Sequence, residues 1–335
     1  MNEKVGMREV AKRAGVAISS VSRVLTDSPD VSEVMRNRVL DAVAALGYER
    51  DLLAMSMRTG ATQSIGFVAI NVSNPVIATN SVGAENELSK SGYSLLISNS
   101  QGNPELDADY IKHFASRRVD GLILSITDEE NPRTLEMLRA FKKPIVLIDR
   151  ELPADIPAGA VLHDHASGVM PAAQHLINLG HRRIVLISGA PRVRPSRERA
   201  LALKAAAKTN PDVKVTLIPG GYSEIHGYET TLKIMREPNP PTAIFVGGNQ
   251  ILVGVLRALR ELKLKVPTDV SLVTCDDLPL AEFIDPPLAR VTRDAMNVGE
   301  KAAELLLEQI NGAEPRTIIL PTSFAVGESC AAPKK

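Results

Sequence analysis

The chain of 335 residues has no tryptophan, and phenylalanine and tyrosine together supply only 3% of it. Any ligand site must therefore work with little ring-stacking surface. Only two cysteines occur, Cys275 and Cys330, neither in a CxxC nor beside metal-spaced histidines, so a disulfide framework or a zinc site is not expected. Both thiols read as structural. No segment offers roughly 18 uninterrupted apolar residues, and no apolar run follows the basic residue of Met1-Asn2-Glu3-Lys4-Val5-Gly6. Neither membrane spanning nor export is expected, and the protein is placed in the cytoplasm. Net charge is also missing, with 39 basic residues against 39 acidic ones.

Catalytic signatures are absent as well. No GxGxxG follows a strand, and neither GxxxxGK[ST] nor GxSxG is present. This removes the easiest dinucleotide, nucleotide and hydrolase readings. His113, His163, His165, His175, His181 and His226 are scattered, and each reads as a surface or helix-end residue. No catalytic residue, cofactor or metal is assigned.

What the chain does have is material for several cores: 44% hydrophobic and 23% charged residues, at a length that suggests two or three domains of about 100 to 200 residues each. The charge is unevenly placed. Lys4, Arg8, Lys12, Arg13 and Arg23 face only Glu3 and Glu9 in the first 25 residues, a modest footprint for phosphate binding.

Met7, Val10, Ala11 and Ala14 recur at helical spacing among charged neighbours, which predicts a short amphipathic helix. Gly15 then suits the positive φ of a helix C-terminus, and Val16 can fill the space between two helices. A second helix over about Ile18 to Leu25 turns Val21, Val24 and Leu25 inward and leaves Ser19, Ser20, Ser22 and Arg23 mostly outside. Helix, glycine turn and a second helix with small polar residues at its start is the layout of a helix-turn-helix. Small hydroxyls let such a helix enter the major groove, where Arg23 could reach O6 and N7 of a guanine. The spacing alone serves a plain helical hairpin with a solvated Ser/Arg face equally well. A third helix starts after Ser32 as N-cap, carries Val39, Leu40, Val43 and Leu46 on one face, and stops at Gly47.

At this point Met7-Arg8-Glu9-Val10-Ala11-Lys12-Arg13-Ala14-Gly15-Val16, Ser20-Val21-Ser22-Arg23-Val24-Leu25, Val31-Ser32, Arg38-Val39, Leu46-Gly47-Tyr48 and Ser64-Ile65-Gly66 together resemble the headpiece of the LacI/GalR family of bacterial regulators. The resemblance implies that Ser19, Ser20 and Arg23 read bases and that Ser22 contacts phosphate. It also implies a hinge helix over residues 51–59, with Met57 in the place of the family's minor-groove leucine and Arg58 beside it as a basic contact. Three residues depart from the family pattern. Ala17 stands where a capping serine is usual, Arg50 replaces a proline and Met55 replaces an arginine.

Beyond Thr62, short β-branched runs alternate with helical stretches. Strands are expected at Ile65-Ile70, Ser94-Ser98, Leu122-Ile126, Ile145-Ile148, Ile184-Ser188, Val215-Ile218, Ala243-Val246 and Leu272-Thr274. Continuous apolar runs of this kind suit parallel strands buried on both faces. Two doubly wound lobes follow, with a ligand cleft at the carboxyl ends of their strands.

The resemblance continues through Asn74-Pro75, Gly121, Asp149-Arg150, His175-Leu176, Leu179-Gly180-His181-Arg182-Arg183-Ile184, Ser188-Gly189, Asp276-Asp277, Pro287-Leu288 and Val326-Gly327-Glu328-Ser329. It implies a sensor like the periplasmic sugar-binding proteins, crossed between lobes near residues 162, 291 and 322. By position, Arg199, Asp276, Asp149 and Tyr222 match ligand-binding places of the family. Gly248 stands where asparagine is frequent, leaving Asn249 one residue later as a substitute. Arg192, Arg194, Arg197 and Arg199 crowd one helix start. An acidic or phosphorylated sugar would suit that start, and a solvated face would account for three of the four.

The expected architecture is an all-α helix-turn-helix headpiece (1–49), a hinge helix and linker (50–61), and an α/β sensor of two doubly wound lobes, 62–161 plus 293–322 and 162–292 plus 323–335. The expected function is that of a repressor, a homodimer with a tetramer as the alternative. It would bind a palindromic double-stranded DNA operator under control of a small carbohydrate-like effector. A solute-binding protein and an α/β enzyme acting on a sugar are the rival readings.

Overall fold

The computed structural model describes residues 5–25, 28–48, 60–276 and 284–334. They fall into two compact units, Met1–Thr62 and Gln63–Lys335. The hinge segment, including Arg50, Met55, Met57 and Arg58, lies outside the described residues.

In the first unit, helices α1 (Met7–Ala14), α2 (Ile18–Leu25) and α3 (Glu33–Leu46) enclose Val10, Ala11, Ala14, Val21, Val24, Val39 and Ala42. Gly15 ends α1 at φ 65°, a left-handed conformation that a residue with a Cβ adopts only at a cost, and its turn sets α2 on its course. Arg38 Nη2 donates to the Ala14 carbonyl at 2.7 Å and ties α3 to that same turn. Ser32 caps α3 through a bond accepted from Met35 N, and Gly47 ends it, as the sequence predicts.

The second unit holds two six-stranded sheets. β1 (Ser64–Ala69), β2 (Ser94–Asn99), β3 (Gly121–Ser125), β4 (Ile145–Ile148), β5 (Gly159–Asp164) and β11 (Thr317–Pro321) form the first, in the order β11-β5-β4-β3-β1-β2, all parallel. β6 (Arg183–Ser188), β7 (Lys214–Pro219), β8 (Ala243–Val246), β9 (Ser271–Cys275), β10 (Ala289–Thr292) and β12 (Ser323–Ala325) form the second, in the order β12-β10-β9-β8-β6-β7. Only β12 runs antiparallel to its neighbour there. β3, β4, β8 and β9 are buried at every residue, because helices cover both faces.

The first lobe's helices are α4 (Pro75–Lys90), α5 (Pro104–Ser116), α6 (Pro132–Ala140) and α11 (Ala295–Ile310). The second lobe carries α7 (Ala166–Asn178), α8 (Arg194–Lys208), α9 (Glu224–Met235) and α10 (Asn249–Glu261). The chain passes from one sheet to the other after β5, after β10 and between β11 and β12. β5 pairs with β11 as far as Asp164, so the first passage falls past residue 162.

Ala17 leaves α2 without a side-chain cap, since only its backbone oxygen accepts, from Ser20 N at 2.9 Å and Val21 N at 3.2 Å. Ala17→Ser is expected to supply about 1 kcal/mol at that end. Hydrogen exchange of the full chain checks this: the α2 amides should slow about fivefold, and unchanged α2 rates would contradict it.

Candidate functional site

Two sites follow from this scaffold. On α2, burial of Val21 and Val24 fixes the helix rotation and leaves Ser19 and Arg23 exposed, with Ser20 and Ser22 half-buried beside them. The four headpiece residues assigned to DNA therefore share the accessible side of one helix. Arg8, Lys12 and Arg13 on α1 are exposed too.

The second site is a cleft of about 220 Å³ at the carboxyl ends of the strands of both lobes. All five residues assigned to the ligand line it: Asp149 after β4, Arg199 on α8, Tyr222 after β7, Asn249 at the start of α10 and Asp276 after β9. Asp149 and Asp276 occupy matching places in the two lobes, and both take left-handed backbone, φ 53° and 78°. Arg199 is buried, donating through Nη1 to the Gly247 carbonyl at 2.5 Å and through Nη2 to Asp276 Oδ1 at 3.0 Å. Asn249 Nδ2 reaches Asn74 Oδ1 at 3.4 Å, while its own Oδ1 is buried with no hydrogen-bond partner among the described residues.

Tyr222 packs against two glycines. Its ring lies against Gly189, where a Cβ would come within 2.2 Å, and against Gly248, where a Cβ would stand 3.1 Å away. The tyrosine thus crowds both glycines, Gly189 more closely than Gly248. Its hydroxyl pairs with Ser196 Oγ at 2.7 Å.

Several contributors are invisible to local sequence patterns. His163 and His165 are not surface residues: both are buried against Asp149, with His163 Nδ1 at 3.2 Å and His165 Nε2 at 3.1 Å from Oδ2. Arg293, on the passage after β10, places Nη1 3.2 Å from Asp149 Oδ2 and Nη2 2.7 Å from Asp276 Oδ1. The arginine cluster also departs from a mostly solvated face, because Arg194 and Arg199 are buried.

Each arginine of the cluster meets a carboxylate: Arg192 with Asp128 at 3.0 Å, Arg194 with Asp149 at 2.9 Å, Arg197 with Glu151 at 2.6 Å and Arg199 with Asp276. The start of α8 is taken as well, since Glu129 Oε1 accepts from Arg194 N at 2.9 Å. An anionic ligand would have to displace these acids.

Burial opposes the charge of both aspartates, but the charged and polar neighbours win. His165 and His163 hold the Asp149 carboxyl well below the usual range, and Arg293 and Arg199 lower that of Asp276. Burial also pushes the His165 imidazole down to about 4 against the pull of Asp149. Asp149, His163 and His165 bring potential ligand atoms within 4.8 Å of one another. The guanidiniums of Arg194 and Arg293 on the same carboxylate already supply the positive charge a metal ion would bring. These charges suit an ion-paired cluster better than a metal centre, and the His163 ring nitrogens find no hydrogen-bond partner among the described residues.

A histidine whose folded pKa lies below its unfolded value leaves the folded state short of a proton between the two. Stability is therefore full above about 6.5 and falls as pH drops toward 4. His165→Gln should flatten this part of the urea-unfolding profile, which in the native chain spans on the order of 3 kcal/mol. An unchanged slope would contradict the assignment.

The comparisons with known proteins agree with this geometry. Residues 6–51 match the model of bacterial regulatory proteins of the lacI family, and residues 173–330 match a periplasmic binding protein-like domain. The ribose operon repressor of Escherichia coli K12 is 32% identical over 309 residues, covering 91% of this chain and 92% of the relative. An HTH-type transcriptional repressor PurR of Haemophilus influenzae is 30% identical over 311 residues, covering 91% and 90%. Among solved structures, the Lac repressor dimer bound to operator and an anti-inducer superposes with TM-score 0.84 at 24% identity, covering 98% of this chain and all of that one. A LacI family regulator of Enterococcus faecium with bound ribose gives TM-score 0.71 at 25% identity, covering 81% of this chain and all of that one.

Proposed function

The chain belongs to the LacI family of bacterial regulatory proteins, and on that premise we propose that its effector is an uncharged, hydroxyl-rich molecule of about monosaccharide size. The chain is a ligand-regulated DNA-binding repressor and not an enzyme. The observation that carries the effector reading is the charge balance of the cleft. Its arginines and aspartates are matched to one another, the α8 N-terminus holds Glu129, and Asn71, Asn74, Asn80, Gln101, Asn249 and Gln250 supply neutral donors and acceptors. Amides and a paired Arg199–Asp276 suit hydroxyls better than a phosphate. Among the described residues Tyr222 is the single aromatic side chain lining the cleft, with Gly189 and Gly248 against its ring, so these residues offer a planar base no pair of rings to lie between. Asp149, Arg199, Tyr222, Asn249 and Asp276 form the effector set in this reading.

A thermal-shift screen tests it. Uncharged monosaccharides, D-ribose among them, are compared with sugar phosphates and nucleobases. At least one uncharged sugar should raise Tm in proportion to the logarithm of its concentration, and Asp276→Asn should abolish the shift. A shift produced only by a phosphorylated compound would refute the assignment.

For the DNA side, the proposal is a cytoplasmic homodimer on a two-fold operator. Ser19, Ser20 and Arg23 read bases, Ser22 holds phosphate, and Met57 with Arg58 enters the minor groove. Binding to a selected palindrome, followed by anisotropy at several salt concentrations, checks the role of Arg23. Arg23→Ala should cost about 1–3 kcal/mol and relax preference at one base position. An equal loss on every sequence would make Arg23 a phosphate contact.

A further inference from the structure

Arg293 lies on the passage between β10 and α11, where the chain returns from the second lobe to the first. Its two amino groups reach the equivalent carboxylates of the two lobes, Asp149 at 3.2 Å and Asp276 at 2.7 Å. One planar guanidinium fork thus spans the floor of the cleft.

The two carboxylates are left in different states. Asp149 Oδ1 accepts from Arg194 Nη1 at 2.9 Å and His163 N at 3.2 Å, and Oδ2 faces His165, His163 and Arg293. Both of its oxygens are used. On Asp276, Arg199 and Arg293 share Oδ1, while Oδ2 has no hydrogen bond among the described residues.

We infer that Arg293 is a positioning residue of the effector site: it ties Asp149 to Asp276 across the lobes, so that Asp149 serves the effector set by holding it together, and it leaves Asp276 Oδ2 as the carboxylate oxygen offered to the ligand. Side chains from both lobes reinforce the closure. Asn249 meets Asn74 at one place, and Arg194 N meets Glu129 at another. The inference rests on the cleft being the effector site only in naming the free oxygen.

The test measures lobe separation in the effector-free, full-length chain. Spin labels are attached to cysteines introduced at exposed Glu130 in the first lobe and Leu201 in the second, with Cys330 replaced by serine, and distances are read by pulsed dipolar spectroscopy. With labelled chain diluted in excess unlabelled chain, so that only distances within one protomer are read, the native chain should give one narrow distance. Arg293→Gln should broaden it toward longer separations, and Arg293→Lys should restore much of the short component. Asp149→Asn combined with Arg293→Gln, which leaves the net charge of the cluster unchanged, should broaden it as the single variant does.

A native-like distribution in a folded Arg293→Gln chain would overturn the inference. Should that variant fail to fold, the double variant decides, and failure of both would also overturn it by making Arg293 a residue of folding rather than of closure. A fruitless sugar screen would remove the effector reading and leave the distance result standing.

Discussion

The buried negative charge of Asp149 is the constraint around which the sensor is arranged. A carboxylate held at 3% exposure carries a desolvation cost of several kcal/mol unless charges and hydrogen bonds meet it. The chain meets it from four directions. His163 and His165 come from the end of β5 and the passage beyond it, Arg194 from the start of α8, and Arg293 from the second passage. Two of these partners stand at points where the backbone passes between lobes, and a third belongs to the opposite lobe. Satisfying one aspartate therefore fixes the relation of the two sheets. It also directs Arg293 onto Asp276, and through Asp276 engages Arg199.

Parts of the structure governed by short-range rules were legible from the sequence. Gly15, Ser32 and Gly47 end or cap helices through contacts within a few residues, and β3, β4, β8 and β9 are continuous apolar runs because both faces are covered. β10 and β12 are short, and β11 alternates exposed and half-buried residues at a sheet edge, so none stands out as an apolar run. β5 ends in His163 and Asp164, which disguise an otherwise buried strand.

The candidate site divides the same way. Arg199, Asp276, Asp149, Tyr222 and Asn249 were placed by their register with a known family, and the cleft gathers them. His163, His165 and Arg293 have no local signature. Arg293 is separated by 144 residues from Asp149, and nothing in Val291-Thr292-Arg293 announces that contact. The arginine cluster was misjudged for a related reason. Spacing on α8 suggests an exposed basic face, whereas Asp128, Glu129 and Glu151 are delivered against it by loops of the other lobe.

The ion pairs between the lobes are not equivalent, and the difference bears on how an effector enters. Arg192 and Glu151 are 57% and 52% exposed at their side chains, so their pairs with Asp128 and Arg197 are worth about 0–1 kcal/mol each and are screened by salt. The Asp149–Arg293–Asp276 bridge is at most 12% exposed, and breaking it strands buried charge. Thermal motion will open the rim long before it opens the floor. Under the proposed effector assignment, the polar groups of the floor stay in place while the rim opens, which keeps the cost of assembling the site small. Reciprocity then limits the regulatory step. A ligand shifts an equilibrium only by its difference in affinity between two states, so under the proposed effector assignment the two states that matter differ around the Asp276 oxygen and the amides.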